Sequence, residues 1–127
     1  MDYGPLVADH IGQPRNLGKL DDADGIGQVD DADTETLLTI YLKLGARPDG
    51  QPVIAQARFR ALGCSGCIAT GSITTELASD RTPDEALAVD GAAICRALDD
   101  GLPGEQRYCA DLAAEALHRA VRSALTG

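Results

Sequence analysis

From Thr36 onward, apolar and polar residues alternate with a period of two. Leu38, Ile40, Leu42 and Leu44 fall on one side of an extended chain, and Leu37, Thr39, Tyr41 and Lys43 on the other. Arg47-Pro48-Asp49-Gly50 has the chemistry of a turn. A second alternating run follows, with Val53, Ala55, Ala57, Phe59 and Ala61 on one face and Ile54, Gln56, Arg58 and Arg60 on the other. Two such runs joined by a short polar loop predict an antiparallel hairpin with one buried face. A short edge strand is expected around Ile26–Val29, within an acidic, loop-like stretch that carries Asp21, Asp22, Asp24, Asp30, Asp31, Asp33 and Glu35.

Elsewhere the spacing is helical. Leu6, Val7, His10 and Ile11 predict a short amphipathic helix ended by Gly12 and Pro14. Residues 65–79 suit a second helix, with Ile68, Ile73 and Leu77 among small residues. Thr82-Pro83-Asp84-Glu85 combines a cap, a first-turn proline and a capping-box glutamate, and so starts a short helix to about Val89. Another helix is expected from about Gly91 to Leu98, and a last one from about Arg107 to Leu125, after the break at Asp99–Gly104. Strands precede helices, which makes the fold class α+β: a small antiparallel sheet of about three strands covered by helices, with an all-helical C-terminal half. A length of 127 residues suits a single domain spanning 1–127.

Composition narrows the function. Eleven Lys and Arg against twenty Asp and Glu leave a net charge of −9, which repels phosphate backbones and argues against nucleic acid as a partner. No apolar run is long enough for a bilayer, so no membrane role is expected. Met1-Asp2-Tyr3-Gly4 does not open like an export signal, so the expected compartment is cytoplasmic. With no Trp and one Phe, the core must be built largely from aliphatic residues.

Four cysteines, at 64, 67, 95 and 109, are better suited to metal or thiol chemistry than to a disulfide framework in a reducing compartment. Cys64-Ser65-Gly66-Cys67 sits where a strand gives way to a helix. Residues three apart share a helix side, and a helix N-terminus favours thiolate. Cys109 begins another helix, so two helix starts can bring thiols to one end of the sheet. Cys95, on an Ala- and Leu-rich helix, is expected in the core, and His10 and His118 are expected to be packing or surface residues. A lone Cys-x-x-Cys is half a zinc site, and the antiparallel character of the preceding strands argues against a thioredoxin-like redox pair, which follows a first strand in a parallel βαβ pattern.

Several dispersed motifs resemble the NifU/IscU-type iron–sulfur cluster assembly scaffold family, in order and over nearly the whole chain. They are Asp9-His10 with Pro14-Arg15-Asn16, the stretch from Ala57 to Cys64, Ile68-Ala69 with Thr75-Glu76-Leu77, Pro83-Asp84-Glu85-Ala86, Gly101-Leu102-Pro103, and Cys109 ahead of Glu115-Ala116-Leu117. The resemblance implies a NifU/IscU-like fold and a scaffold rather than an enzyme. It also implies a transient iron–sulfur cluster of the [2Fe–2S] type, or zinc, held by three cysteines of separate segments. Implied partners are a cysteine desulfurase and apo iron–sulfur client proteins, with a homodimer compatible with this role.

The chain departs from the family at the ligands. The family's first Cys-Gly-Asp falls on Thr34-Glu35-Thr36, its histidine on Tyr108 and its lysine on Gln106, and Leu102-Pro103-Gly104-Glu105-Gln106 replaces its Leu-Pro-Pro-Val-Lys segment. Cys67, where relatives commonly have a small non-thiol residue, would restore three thiols. The expected metal and cluster ligands are therefore Cys64, Cys67 and Cys109, with Glu35, Asp33 or an external ligand as a fourth donor and Cys109 or Cys64 as sulfur acceptor. Two other readings compete: a paralogue that has lost the cluster and acts as an interaction or regulatory module, and a thiol redox protein switching at Cys64 and Cys67.

Overall fold

The computed structural model describes residues 2–126. In chain order the elements are helix α1 (Pro5–Gly12), strands β1 (Gly25–Asp31), β2 (Thr36–Ala46) and β3 (Pro52–Leu62), and helices α2 (Ser65–Ala78), α3 (Pro83–Leu87), α4 (Gly91–Ala97) and α5 (Tyr108–Thr126), with a 3-10 turn at Gly104–Gln106 before α5. The strands form one antiparallel sheet in the order β1-β2-β3. This is the α+β class expected from the hydrophobic periods, with the edge strand β1 longer at both ends than its sequence suggested.

The hairpin departs from simple alternation at one point. Lys43 pairs with Gln56 and Leu44 with Ile54, so Ala55 is an extra residue on β3 and the register shifts there. A bulge reverses the phase of every side chain before it. Ile54 is therefore buried and Ala55 exposed, the reverse of the expected faces, while Ala57 and Phe59 are buried as predicted.

Leu38, Ile40, Leu42 and Phe59 form the sheet's half of the core, and Ile94, Leu98 and Leu117 stand opposite on α4 and α5 or just after them. With few large side chains available, the layers close at glycines. A Cβ on Gly27 would lie 2.1 Å from the Ala116 carbonyl oxygen of α5, and one on Gly71 of α2 would lie 2.4 Å from the Phe59 ring. The capping box of α3 is complete: the Glu85 N–H donates to Thr82 Oγ1 at 3.2 Å, and the Thr82 N–H donates to Glu85 Oε1 at 2.8 Å.

The segment after α1 lies along the outer edge of β3. The Gly18 N–H donates to the Phe59 carbonyl at 2.8 Å and the Phe59 N–H to the Asn16 carbonyl at 3.0 Å. His10 Nδ1 lies 2.7 Å from Ser72 Oγ, the Arg15 N–H donates to that same oxygen, and Asn16 Nδ2 donates to Thr75 Oγ1. The motif around His10 and Pro14-Arg15-Asn16 thus ties α1 and its loop to α2. His118 bonds through Nε2 to the Val89 carbonyl, so both histidines are structural. Among the described residues no helix is long and apolar enough to cross a membrane.

Candidate metal centre

Three backbone features converge at one end of the sheet. β3 ends at Leu62, and Gly63 turns the chain with φ +151, a conformation that suits glycine. Cys64 then occupies the N-cap position of α2 in extended conformation, and the Cys67 N–H donates to the Cys64 carbonyl at 3.0 Å, which places both thiols on the first turn. From the other side, the break through Gly101 and Pro103 and the 3-10 turn bring the start of α5 to the same place, with Cys109 its second residue.

The three sulfurs meet there. Cys67 Sγ is 2.8 Å from Cys109 Sγ, Cys64 Sγ is 3.4 Å from Cys109 Sγ, and Cys64 Sγ is 3.6 Å from Cys67 Sγ. Cys67 and Cys109 are fully buried, while Cys64 is partly exposed and forms the mouth of the cluster. Cys95 lies apart in the apolar core, where burial pushes its thiol pKa up. All four cysteines are free thiols.

The electrostatics of the trio are unequal. The hydrogen bond with Cys109 is the largest influence on Cys67 and, with further bonds to Cys64 and Thr36, brings its pKa down to about 6 against the opposing effect of burial. Cys109 moves upward, because its proton is held in the bond to Cys67 and burial disfavours its charge. Tyr108, whose hydroxyl lies 3.6 Å from Cys64 Sγ, is also held protonated, first by that contact and then by burial. The stabilised thiolate is therefore Cys67. Of the two thiols expected to accept sulfur, only Cys64 is reached from outside.

Thr34 and Thr36, at the family's first ligand segment, do not face the site as a pair of donors. Thr34 Oγ1 donates to Asp31 Oδ2 at 2.7 Å and lies 3.0 Å from Thr36 Oγ1, and Thr36 Oγ1 lies 3.9 Å from Cys67 Sγ. A hydroxyl chain from Asp31 thus ends at the sulfur that carries the charge. Among the described residues no carboxylate or imidazole joins the three sulfurs, so neither Asp33 nor Glu35 occupies a fourth position; both are exposed. Gln106, at the family's lysine position, holds the loop in place. Its Oε1 accepts from the Gly66 N–H at 3.0 Å and from the Tyr3 hydroxyl at 2.9 Å. A side chain at position 66 would collide with that oxygen, so Gly66 between the cysteines marks a close approach. Sequence reasoning missed the parts played by Gln106 and Asp31, because neither carries a spacing signal.

Three thiol sulfurs within 4.8 Å of one another form a soft, compact donor set. Thiolates around tetrahedral zinc, at about 2.3 Å from the metal, stand roughly 3.8 Å apart. The two Cys64 separations, 3.4 and 3.6 Å, are close to this, and Cys67 and Cys109 would part by about 1 Å to match.

The comparisons with known proteins agree with this architecture. The family model for the NifU-like N terminal domain matches residues 2–125. Over 119 residues the chain is 42% identical to the iron–sulfur cluster assembly scaffold protein IscU 1 of Archaeoglobus fulgidus, covering 94% of this chain and 74% of that protein. It is 34% identical over 125 residues to the iron–sulfur cluster assembly scaffold protein IscU of Azotobacter vinelandii, covering 96% and 93%. Among solved structures, a nitrogen-fixing NifU-like protein (N-terminal) from Brucella abortus superposes with a TM-score of 0.72 over 97% of this chain and 94% of that one, at 15% identity.

Proposed function

Because the chain belongs to the NifU-like N-terminal domain family, we propose that it is an iron–sulfur cluster assembly scaffold whose ligands are Cys64, Cys67 and Cys109. Its cargo is iron, zinc or a transient [2Fe–2S] cluster, passed on to apo-proteins. A cysteine desulfurase supplies the sulfur, and an incoming ligand from outside the chain completes the coordination. Residues 1–127 act as one cytoplasmic unit, as a carrier rather than an enzyme.

The observation that supports this reading is the convergence of three thiols from two helix starts. A relative that had merely lost its cluster would have no reason to gather them. Cys67 takes over for the missing first cysteine by sitting one helical turn beyond Cys64. A switch confined to the Cys64–Cys67 pair is disfavoured, because each of these sulfurs is nearer to Cys109 than to the other.

Metal analysis of protein purified without chelator tests the proposal. We expect about one zinc per chain, as for a closed thiolate site. Anaerobic reconstitution with iron and sulfide is expected to give brown protein. Cys67→Ala should abolish both, whereas Cys95→Ala should leave both unchanged. A zinc-free, colourless wild type with a normal far-UV spectrum would overturn the proposal.

A further inference from the structure

A metal-ligand role for the trio does not explain why the two closest sulfurs are the two buried ones. Cys64 is the accessible thiol, and Cys67 and Cys109, each 0% exposed, lie directly behind it. The distances fall along a path inward: 3.4 Å from Cys64 to Cys109, then 2.8 Å from Cys109 to Cys67. An electrophilic sulfur on Cys64 therefore has two thiols within reach, Cys109 at 3.4 Å and Cys67 at 3.6 Å, and these two lie nearer to each other than either does to Cys64.

We propose that these thiols also act as a built-in reductant, converting a persulfide delivered to Cys64 into sulfide. The inference rests on the scaffold reading, because it takes the substrate to be the sulfane sulfur of a persulfide donor. The first step is attack by the Cys109 sulfur on Cys64 Sγ, the Cys109 proton passing to the Cys67 sulfur 2.8 Å away. The bond from Cys64 Sγ to the outer sulfur breaks, a Cys64–Cys109 disulfide forms, and the outer sulfur leaves as HS⁻ with the electron pair. In the second step Cys67 attacks Cys109 Sγ through ordinary thiol–disulfide exchange, forming a Cys67–Cys109 disulfide and expelling Cys64 as thiolate. In sum, one sulfane sulfur gains two electrons and two protons to become hydrogen sulfide. Cys67 and Cys109 together lose the same two electrons and two protons, and an external low-molecular-weight thiol restores them for the next cycle.

The arrangement gives each cysteine a separate task. Cys64 receives sulfur at the surface, Cys109 releases it as sulfide, and Cys67 draws the disulfide into the interior so that Cys64 is free again. Two thiols would achieve the reduction but would leave the acceptor locked in the disulfide.

The experiment uses reduced, metal-free full-length chain exposed briefly to one equivalent of inorganic tetrasulfide. The protein is then desalted, alkylated under denaturing conditions, and examined by intact mass and peptide mapping. Wild type is expected to show no retained sulfur, the loss of two hydrogens, a Cys67–Cys109 disulfide and alkylated Cys64. Cys64→Ser should show neither disulfide nor bound sulfur. Cys67→Ser should stop at the Cys64–Cys109 disulfide, with no alkylation at position 64.

Wild type that keeps one added sulfur on Cys64 would overturn the inference. So would Cys64→Ser protein that acquires the Cys67–Cys109 disulfide as fast as wild type. Neither arm depends on substituting a buried residue. Zinc titration of the same wild-type preparation separates the two readings. Zinc bound by protein that retains its persulfide sinks this inference alone, whereas failure to bind zinc or form a cluster sinks the scaffold reading itself.

Discussion

His10 illustrates how one side chain couples packing to solution conditions. It is 2% exposed, with Nδ1 on Ser72 and Nε2 3.6 Å from Glu76 Oε1. Burial lowers its pKa below the usual 6.5 and the Arg15 guanidinium lowers it further, against the opposing pull of Glu76 and Asp9. The folded chain thus binds this proton less readily than the unfolded chain does. The stabilisation from neutral His10 is complete above the unfolded value and is lost as pH falls through it towards the lower folded value. The urea midpoint of the wild type should fall between about pH 7 and pH 5.5, whereas His10→Gln, which cannot take up the proton, should give a flatter profile over that range. Equal slopes would mean that His10 is not the group responsible. At this scale residue type and spacing were enough to anticipate the thiol trio and the burial of Cys95. The hydroxyl chain from Asp31 through Thr34 to Thr36 was hidden, because its members are ordinary polar residues that meet only after β1 and β2 pair.

Among the elements, the tightest constraint is where β1 and β3 meet the helices. Gly25 and Gly27 face α5 so closely that an added Cβ would reach Ala120 O at 2.2 Å and Ala116 O at 2.1 Å, and backbone atoms cannot move aside as a flexible side chain can. Gly27→Ala should force α5 off the sheet and cost about 3 kcal/mol, the upper end of ordinary overpacking. Gly12, the last residue of α1, has nothing within 4 Å of the place a methyl group would take, so Gly12→Ala should be neutral or slightly stabilising. Urea unfolding of the two variants provides the comparison, and similar midpoints would show that the approach of α5 is less rigid than the structure has it. Helix starts and the turn at residues 47–50 were legible because caps and turns are local chemistry. The bulge at Ala55 was not, because it depends on how β3 pairs with β2, and a period-two reading continues through it unchanged.

For the molecule as a whole, the order of strands and helices was readable from the hydrophobic periods, and the motifs carried the family. The altered ligand set was visible only as a pattern of losses and one gain. What three-dimensional structure adds is that the two helix starts carrying the gained and the retained cysteines bring their sulfurs within 3.6 Å of one another. Cys64 and Cys67 open α2, Cys109 opens α5, and both helices pack on the same sheet. A metal held by all three sulfurs therefore clips two helices of the layer that covers the sheet together, and binding is linked to global stability. At free zinc about one hundred times the dissociation constant, the free energy of unfolding should rise by about 2.7 kcal/mol, less whatever the unfolded thiols themselves bind. The shift should appear in full in Cys95→Ala, whose thiol is outside the cluster, and should largely vanish in Cys64→Ser, which removes the partly exposed ligand without opening a cavity in the core. Urea midpoints measured with and without zinc decide the matter. An unmoved wild-type midpoint would mean that the sulfurs do not act as one site, and a shift surviving in Cys64→Ser would place the ion elsewhere.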